Sequence, residues 1–416
     1  MKARSVIKYI SQIADSKFGR IIVFTGARQT GKTTIARELF PEFEYLSIED
    51  PISVAEYKKL TASQWKLMYP KAILDEVQKE PILIESIKSV YDQFPEVHYI
   101  LLGSSQLLLL SKVRESLAGR CVIVDLFPLT LPEMQTDNFD QQIIHSCFQK
   151  LLTEPDAPVE FLPSFIMDKR MAEKQRAWEY YCKFGGYPAL TDSSLTDEER
   201  YIWLDQYVRT YLERDVRDLT SFRDLQPFIK LQHATALLTS TVVNASSLAN
   251  HAGLNVKTVQ RYIQYMDLSY QTITLPAWSR NQTKKLVKAP KIHFLDNGVL
   301  QAVLQKRGGM TGAEFESLIV SEIYKQAKTL QITAKFYHLR IQGGREIDLL
   351  IETPKGYFAF EIKITDKVNK NDIRHFNNLE EILDKPLIHS LVLTNDPSTI
   401  TFADKITAVN AAMFLG

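Results

Sequence analysis

The chain has 416 residues, which is enough for two or three domains at about 150 residues each. Its 45% apolar and 24% charged residues exclude a mainly disordered or fibrous protein. Fifty Lys and Arg side chains against forty-nine Asp and Glu leave a net charge of +1, so any basic surface must be local.

The three cysteines have no paired spacing, which predicts neither a disulfide framework nor a zinc site. Charges throughout residues 1–20 predict that no signal peptide is present. The longest apolar run, at 101–110, is shorter than the roughly 18 residues that a membrane span needs. We therefore expect a soluble, cytoplasmic protein with no membrane partner.

The first 130 residues alternate short apolar runs with amphipathic segments. Near-continuous Val, Ile and Leu indicate strands that are covered on both faces, as in a parallel sheet with crossover helices. We predict an α/β fold with a five-stranded parallel sheet, whose strands are 21–25, 44–48, 72–77, 98–105 and 121–126.

A phosphate-binding loop is predicted at 26–33, where GARQTGKT follows the first strand and precedes a helix-forming run. Glycines there permit a backbone path whose N–H groups converge on phosphate oxygens. Lys32 would add a charge at the β- and γ-phosphates, and Thr33 would ligate Mg²⁺. The expected cofactors are ATP and Mg²⁺, and the expected contacts are Gly26, Ala27, Arg28, Gln29, Thr30, Gly31, Lys32, Thr33 and Thr34.

Carboxylates end the strand in AILDEV, at the edge where open α/β sheets bind ligands. Asp75 would complete the Mg²⁺ shell, and Glu76 would orient and deprotonate the attacking water. The next strand ends in GSS, where Ser104 or Ser105 would sense the γ-phosphate. Arg120 could reach a neighbouring subunit's nucleotide and neutralise transition-state charge, with Arg214 and Arg217 as alternatives.

The order and spacing of these motifs resemble AAA-type and archaeal-type ATPases, in which an extra strand separates the phosphate loop from the acidic strand. GARQTGKTT, ILDEVQK, LLGSSQLLL and ESLAGR are similar to a large prokaryotic family of ATPases with a C-terminal domain of unknown function. The resemblance continues through TYLERDVRDL, LVKAPKIHFLDNGVL and GREIDLLIE, and therefore covers essentially the whole chain. It implies an ATPase but supplies no biological role.

A helix–turn–helix is predicted in residues 244–270, after a mostly helical region. Ser246 or Ser247 would cap the first helix, and Gly253 suits a left-handed turn. The second helix would turn Val256, Val259, Ile263 and Met266 toward the core, and Lys257, Gln260, Arg261 and Gln264 outward.

A basic hairpin wing is predicted to follow, because residues 278–291 contain basic residues and no acid. Residues 244–291 hold seven basic residues and one acid, a local charge of +6 that suits contact with a phosphate backbone. Packing against a protein partner remains the alternative. The expected duplex contacts are Lys257, Arg261, Lys284, Lys285 and Lys288; Arg280 and Lys291 belong to the same basic set.

The last hundred residues resemble the restriction-endonuclease-like PD-(D/E)XK core. If residues 353–356 form a four-residue hairpin loop, Glu352 pairs with Tyr357 and Asp348 falls opposite Glu361. Lys363 then points to the same face. Asp348 and Glu361 would hold Mg²⁺, and Lys363 would stabilise the charged transition state. Glu316, or else Glu322, could complete the metal shell from the preceding helix.

Four units follow from this reading: a P-loop ATPase at 1–134, a helical region at 135–234, a winged helix at 235–310 and a nuclease-like domain at 311–416. The leading hypothesis is an ATPase that acts on nucleic acid, with duplex DNA as the expected partner and a homo-oligomer as the working form. The alternatives are a nucleotide-switched scaffold for protein partners, with a vestigial nuclease fold, and an ATP-dependent nuclease.

Overall fold

The N-terminal unit is built on a five-stranded parallel sheet. The computed structural model describes residues 1–103, 113, 115–154, 167–212, 224–280, 289–340 and 345–416. The strands are β1 (Ile21–Thr25), β2 (Glu44–Ser47), β3 (Lys71–Asp75), β4 (His98–Leu102) and β5 (Val122–Asp125), in the spatial order β2-β3-β4-β1-β5. All five predicted strands are confirmed, and β4 is the extra strand between the phosphate-loop strand β1 and the acidic strand β3.

Helices cover both faces of this sheet, since crossovers between parallel strands must pass over a face. They are α1 (Ile7–Ala14), α2 (Lys32–Leu39), α3 (Pro51–Tyr57), α4 (Ala62–Met68) and α5 (Pro81–Gln93). One buried cluster packs α1 and α2 against one face, and a second packs α4 and α5 against the other. The sheet is therefore an α/β core, as its continuous apolar strands predict.

The middle of the chain is helical, as predicted. Its described helices are α6 (Leu131–Met134), α7 (Cys147–Thr153), α8 (Met171–Phe184), α9 (Asp197–Tyr207), α10 (Gln226–Leu237), α11 (Ala245–Ala252) and α12 (Val256–Leu268), and a π-helical turn spans Val208–Leu212. The predicted boundary at 234–235 falls within α10, which packs on α11 and α12.

Two details of the helix–turn–helix prediction are wrong. Asn244, rather than Ser246 or Ser247, caps α11, because its side chain accepts from the N–H groups of both serines. Val256 is 38% exposed, since it is the first residue of α12 and lies outside the face that Val259 and Met266 bury. Gly253 has φ +67°, which confirms the predicted left-handed position.

An antiparallel pair, β6 (Thr272–Leu275) with β7 (Lys291–Phe294), follows α12 and leads to α13 (Asn297–Val303). The C-terminal unit then begins with α14 (Gly312–Thr329) and continues with a six-stranded sheet. Its strands are β8 (Lys335–Arg340), β9 (Glu346–Glu352), β10 (Tyr357–Ile362), β11 (Leu387–Thr394), β12 (Ile400–Ala403) and β13 (Ile406–Asn410). Their spatial order is β12-β13-β11-β10-β9-β8.

The register of the β9–β10 hairpin agrees with the sequence: Glu352 pairs with Tyr357 across the 353–356 loop. A short helix, α15 (Leu379–Ile382), precedes β11, which runs parallel to β10. Strands β12 and β13 and the terminal helix α16 (Ala411–Leu415) were not predicted. Helix α16 is fully buried and packs against α7 and α8, which joins the end of the chain to its middle.

The segment 126–131 connects the five-stranded sheet to the rest of the molecule. The Leu129 N–H donates to the carbonyl of Gly186 (2.7 Å), and the Leu131 N–H donates to Glu322 of α14 (2.7 Å). Lys325 of α14 donates to the Leu129 carbonyl (3.3 Å) and pairs with Glu322 (3.2 Å). Among the described residues, none of the helices has both the length and the apolar character that a bilayer crossing demands.

Candidate functional site

The phosphate loop lies between the end of β1 and the start of α2. Gly26 has φ +140°, and a Cβ there would lie 2.1 Å from the Leu126 carbonyl oxygen, so only glycine fits. The Lys32 ammonium is buried and donates to the carbonyl oxygens of Gly26 (2.9 Å) and Ala27 (2.8 Å). A buried ammonium beside the backbone N–H groups at the start of a helix is an arrangement that binds a polyphosphate.

The two predicted nucleotide motifs meet directly. The Thr33 hydroxyl donates to Oδ2 of Asp75 at 2.8 Å, although the two residues are 42 positions apart. The hydroxyl of Tyr45, on the neighbouring strand β2, donates to the same oxygen at 2.8 Å. Burial and the Asp75 carboxylate raise the pKa of Tyr45 above its ordinary value, so this phenol remains a donor.

Glu76 directly follows β3 and has a left-handed backbone with φ +59°, which is uncommon for a residue with a side chain. This conformation turns the chain sharply into the 3₁₀ turn Val77–Lys79. The buried Gln78 amide donates to the Glu76 carboxylate at 2.5 Å. Glu76 is thus held beside Asp75 by a partner that the sequence did not single out.

The rest of the chain also holds the phosphate loop in place. The buried Arg4 guanidinium donates to the carbonyl oxygens of Thr30 (2.8 Å) and Phe127 (2.6 Å). The Tyr207 hydroxyl, at the end of α9, donates to the Arg28 carbonyl at 3.2 Å. These contacts link the loop to the N-terminal segment and to the middle helices, and no motif in the sequence indicates them.

The catalytic serines and arginines predicted from sequence are only partly described. Arg120 donates two hydrogen bonds to Asp92, at 2.7 and 3.0 Å, in the same chain. Its action on a neighbouring subunit's nucleotide stays a prediction. Ser104, Ser105, Arg214 and Arg217 lie outside the described residues.

The predicted nucleic-acid contacts divide into three groups. Lys257 and Arg261 are exposed on α12, together with Gln260 and Gln264, as predicted. Lys284, Lys285 and Lys288 lie outside the described residues. Lys291, which the sequence placed in the basic wing, is 2% exposed and turns inward.

Lys291 points into the predicted nuclease-like carboxylates. Its ammonium lies 2.9 Å from Glu316 of α14, 3.4 Å from Asp348 of β9 and 2.6 Å from Glu346 of β9. The other Asp348 oxygen accepts the N–H of Ile362 at 2.9 Å. Of the two alternatives on α14, Glu316 joins this set, because Glu322 faces Leu131 and Lys325.

Glu361 and Lys363 of the predicted set lie on the β10 side. The Glu361 carboxylate is 1% exposed and contacts the Lys363 ammonium (3.0 Å) and the His375 Nδ1 (2.8 Å). The hairpin geometry therefore brings Asp348, Glu361 and Lys363 together as the sequence predicts. Neither Lys291 nor His375 was part of that prediction.

The buried carboxylates of this set make one another harder to ionise and keep the Lys291 ammonium charged. Burial and the nearby Asp348 carboxylate raise the pKa values of Glu316 and Glu361 to about 8. Burial acts to lower the pKa of Lys291, but the carboxylates of Glu316, Asp348 and Glu346 raise it above its ordinary value. Among the described residues, no group of three or more His, Cys, Asp or Glu side chains is arranged to hold a metal ion.

Comparison with known proteins identifies three matched regions. A model described as an AAA domain matches residues 19–135. Domains of unknown function match residues 175–308 (DUF8612) and 311–414 (DUF4143). Residues 19–135 are therefore similar to AAA-type P-loop domains, and the two regions that follow are similar to domains of unknown function in other proteins.

The relatives that match along most of this chain have low sequence identity to it. An uncharacterized protein of Mycobacterium tuberculosis is 25% identical over 361 residues, 83% of this chain and 70% of that protein. Another, of Methanocaldococcus jannaschii, is 22% identical over 295 residues, 67% of this chain and 60% of that protein. A Walker-type ATPase of Pyrococcus abyssi matches with a TM-score of 0.44 and 14% identity, covering 72% of this chain and 94% of that one.

Proposed function

We propose that the chain hydrolyses ATP and uses the cycle to act on nucleic acid through residues 235–310, which we interpret as a winged helix. The observation that carries the proposal is the 2.8 Å hydrogen bond from Thr33 to Asp75, with Glu76 next in sequence. It brings a phosphate-loop hydroxyl, an acidic strand end and a second carboxylate to one edge of the sheet, where nucleotide hydrolysis requires them.

Each of these residues has a distinct role in the proposal. Residues 26–34 bind the phosphates, and Lys32 exchanges its two carbonyl acceptors for phosphate oxygens. Thr33 and Asp75 fit Mg²⁺, which prefers oxygen ligands. When bound, Mg²⁺ would neutralise charge on the phosphate oxygens. Glu76 orients and deprotonates the attacking water.

The nucleic-acid part rests on the exposed face of α12. Lys257 and Arg261 lie one turn apart on that face, with Gln260 and Gln264 beside them, and this pattern suits contacts with phosphates and base edges. Lys284, Lys285 and Lys288 would add contacts from the wing. Duplex DNA is the expected ligand, and binding should weaken steeply with salt.

A nucleotide-switched scaffold for protein partners is the second candidate, and one observation favours it. Of the four described basic residues in 244–291, Lys291 is buried and Arg280 donates to the Leu383 carbonyl (3.1 Å). The positive face is therefore smaller than the sequence count of +6 indicates. A homo-oligomer, with Arg120 acting between subunits, belongs to either candidate.

The experiment is steady-state ATP hydrolysis at low salt, with and without duplex DNA. The proteins are wild type, Lys32→Ala, Glu76→Gln and the double variant Lys257→Ala/Arg261→Ala. We expect wild-type turnover that DNA raises several-fold and that Lys32→Ala and Glu76→Gln abolish. The double variant should keep the unstimulated rate and lose most of the stimulation, because both side chains are exposed on α12 and belong to no motif of the nucleotide site.

The outcomes separate the two candidates. Turnover that is indifferent to DNA, with Lys32→Ala inactive, would replace the nucleic-acid proposal by the protein-partner scaffold. Wild-type protein that binds ATP but never hydrolyses it would contradict the proposed role of Glu76. Glu76→Gln that binds ATP as tightly as wild type would show that lost turnover reflects chemistry rather than unfolding.

A further inference from the structure

The C-terminal carboxylates surround a lysine from outside their own sheet. Lys291 belongs to β7, whereas Glu346 and Asp348 belong to β9 and Glu316 to α14. The lysine ammonium contacts one oxygen of each carboxylate at 2.6–3.4 Å. Three convergent carboxylate oxygens around one cation are the arrangement that divalent metal sites also use.

The backbone of Lys291 is fixed on both edges. Residue 291 pairs with Leu275 of β6 on one side and forms a bridge with Val242 on the other. Strand β7 is entirely buried, and the Phe294 N–H donates to the Ser317 hydroxyl of α14 at 3.0 Å. The backbone that carries the ammonium therefore cannot move away from the carboxylates without disrupting the core, because strand β7 is buried and paired.

The remaining carboxylate of the set is also neutralised from within. Glu361 contacts Lys363 and His375, and Asp348 uses its second oxygen to accept the Ile362 N–H. A divalent cation placed among these carboxylates would lie next to the Lys291 ammonium, and like charges this close repel strongly in a buried site. The residues therefore do not fit the metal ion that a nuclease of this kind uses.

We propose that Lys291 is a tethered cation that takes the place of a divalent metal ion in the C-terminal carboxylate set. The set then fastens strands β6 and β7 to the C-terminal sheet and does not cleave nucleic acid. Removing the ammonium uncovers a divalent-cation site on Glu316, Glu346 and Asp348, the three carboxylates that it contacts. This inference is independent of any action on nucleic acid, because its test uses a metal ion alone.

The test measures Mn²⁺ binding to the full chain without nucleotide. Isothermal titration calorimetry and the electron paramagnetic resonance signal of free Mn²⁺ are the two readouts. Asp348→Asn is the reference that removes the proposed site and leaves the phosphate loop intact. Wild type and Lys291→Arg should bind no more Mn²⁺ than their Asp348→Asn counterparts. Lys291→Met should bind one additional Mn²⁺ per chain, and Lys291→Met/Asp348→Asn should lose it.

Thermal unfolding gives a second readout. Mn²⁺ should raise the melting temperature of Lys291→Met, whose buried carboxylates have lost their counter-ion, and raise that of wild type no more than that of Asp348→Asn. Wild type that binds a Mn²⁺ ion dependent on Asp348 would overturn the proposal, and this comparison holds even if Lys291→Met does not fold. Folded Lys291→Met that gains no Mn²⁺ would overturn it too.

Discussion

The hydroxyl of Tyr270, just after α12, donates to the Asp125 carboxylate at the end of β5 with a distance of 2.6 Å. It also lies 2.9 Å from the hydroxyl of Thr25, the last residue of β1 before the phosphate loop. Tyr270 is buried and has a left-handed backbone with φ +58°. A residue next to the proposed DNA-contacting helix thus contacts the ends of β1 and β5, beside the phosphate loop.

Tyr270→Phe is the direct test of this link. The change removes a buried donor from Asp125 and should cost about 1–3 kcal/mol of unfolding free energy. We expect DNA stimulation of ATP turnover to fall toward the unstimulated rate, with DNA affinity unchanged. Tyr91→Phe, whose ring faces Arg20 (3.8 Å), is the matched control. Unchanged stability and unchanged stimulation together would exclude the link.

Tyr45→Phe tests how Asp75 is oriented. Asp75 would keep the Thr33 hydroxyl and lose the Tyr45 hydroxyl, both of which now donate to the same oxygen. Loss of a group that orients a metal ligand typically costs about 10–100-fold in metal affinity. We expect the Mg²⁺ concentration for half-maximal turnover to rise within that range while the maximal rate changes less. Asp75→Asn should abolish turnover, and an unaltered Mg²⁺ dependence in Tyr45→Phe would refute the orienting role.

The phosphate loop between β1 and α2 and the five-stranded sheet were predictable because their signals are local or periodic. GARQTGKT fixes the loop, and continuous apolar runs fix the five strands. The Asp348–Glu361–Lys363 arrangement was also predictable, since a four-residue loop and a two-residue period determine which side chains share a face.

Contacts between distant parts of the chain were not predictable. Tyr270 and Asp125 are 145 positions apart, and Lys291 and Asp348 are 57 apart. A count of charged residues treats every lysine in a basic run as solvent-exposed. The pairing of β7 with β6 buries that strand, and the contacts of the Lys291 ammonium with Glu316 and Asp348 show that its side chain turns toward α14 and β9.

Lys325→Met should be strongly destabilising. Lys325 and Glu322 are both 0% exposed, and the lysine also contacts the Leu129 carbonyl and the Tyr181 hydroxyl. Removing one partner of a buried pair typically costs about 3–5 kcal/mol. Lys405→Met is the control, because its exposed pair with Glu380 should contribute less than about 1 kcal/mol. Calorimetric melting of both variants measures the difference, and equal melting temperatures would contradict it.

Gly186→Ala tests the close approach between the 185–190 turn and segment 126–131. A Cβ at Gly186 would lie 2.2 Å from the Leu129 carbonyl oxygen, so the hydrogen bond from the Leu129 N–H must lengthen. We expect a loss of more than about 3 kcal/mol, beyond the usual range of single substitutions. Gly308→Ala has φ +80° and open space around it, so only backbone strain of about 1–2 kcal/mol applies. Equal losses in the two variants would rule out the steric explanation.

Asp267 makes stability depend on pH in a direction that can be worked out. Burial raises the pKa of Asp267 to about 6, against the lowering effect of the Thr272 hydroxyl. The folded state therefore holds this proton more tightly than an unfolded chain, where the carboxyl titrates near about 3.9. Charged Asp267 destabilises the fold above about pH 6. This loss of stability disappears as the pH falls from about 6 to about 4, because the folded protein then binds the proton.

Asp267→Asn should consequently be more stable than wild type at pH 7.5, by about 1–3 kcal/mol. The amide oxygen can still accept from Thr272, so the change removes the charge and keeps the hydrogen bond. The gain should shrink between pH 6 and pH 4 and vanish at the lower end, measured as the difference in melting temperature at each pH. Asp15→Asn, at an exposed position, should show no such trend. A gain for Asp267→Asn that is constant across this interval would mean that its carboxylate is not the group responsible.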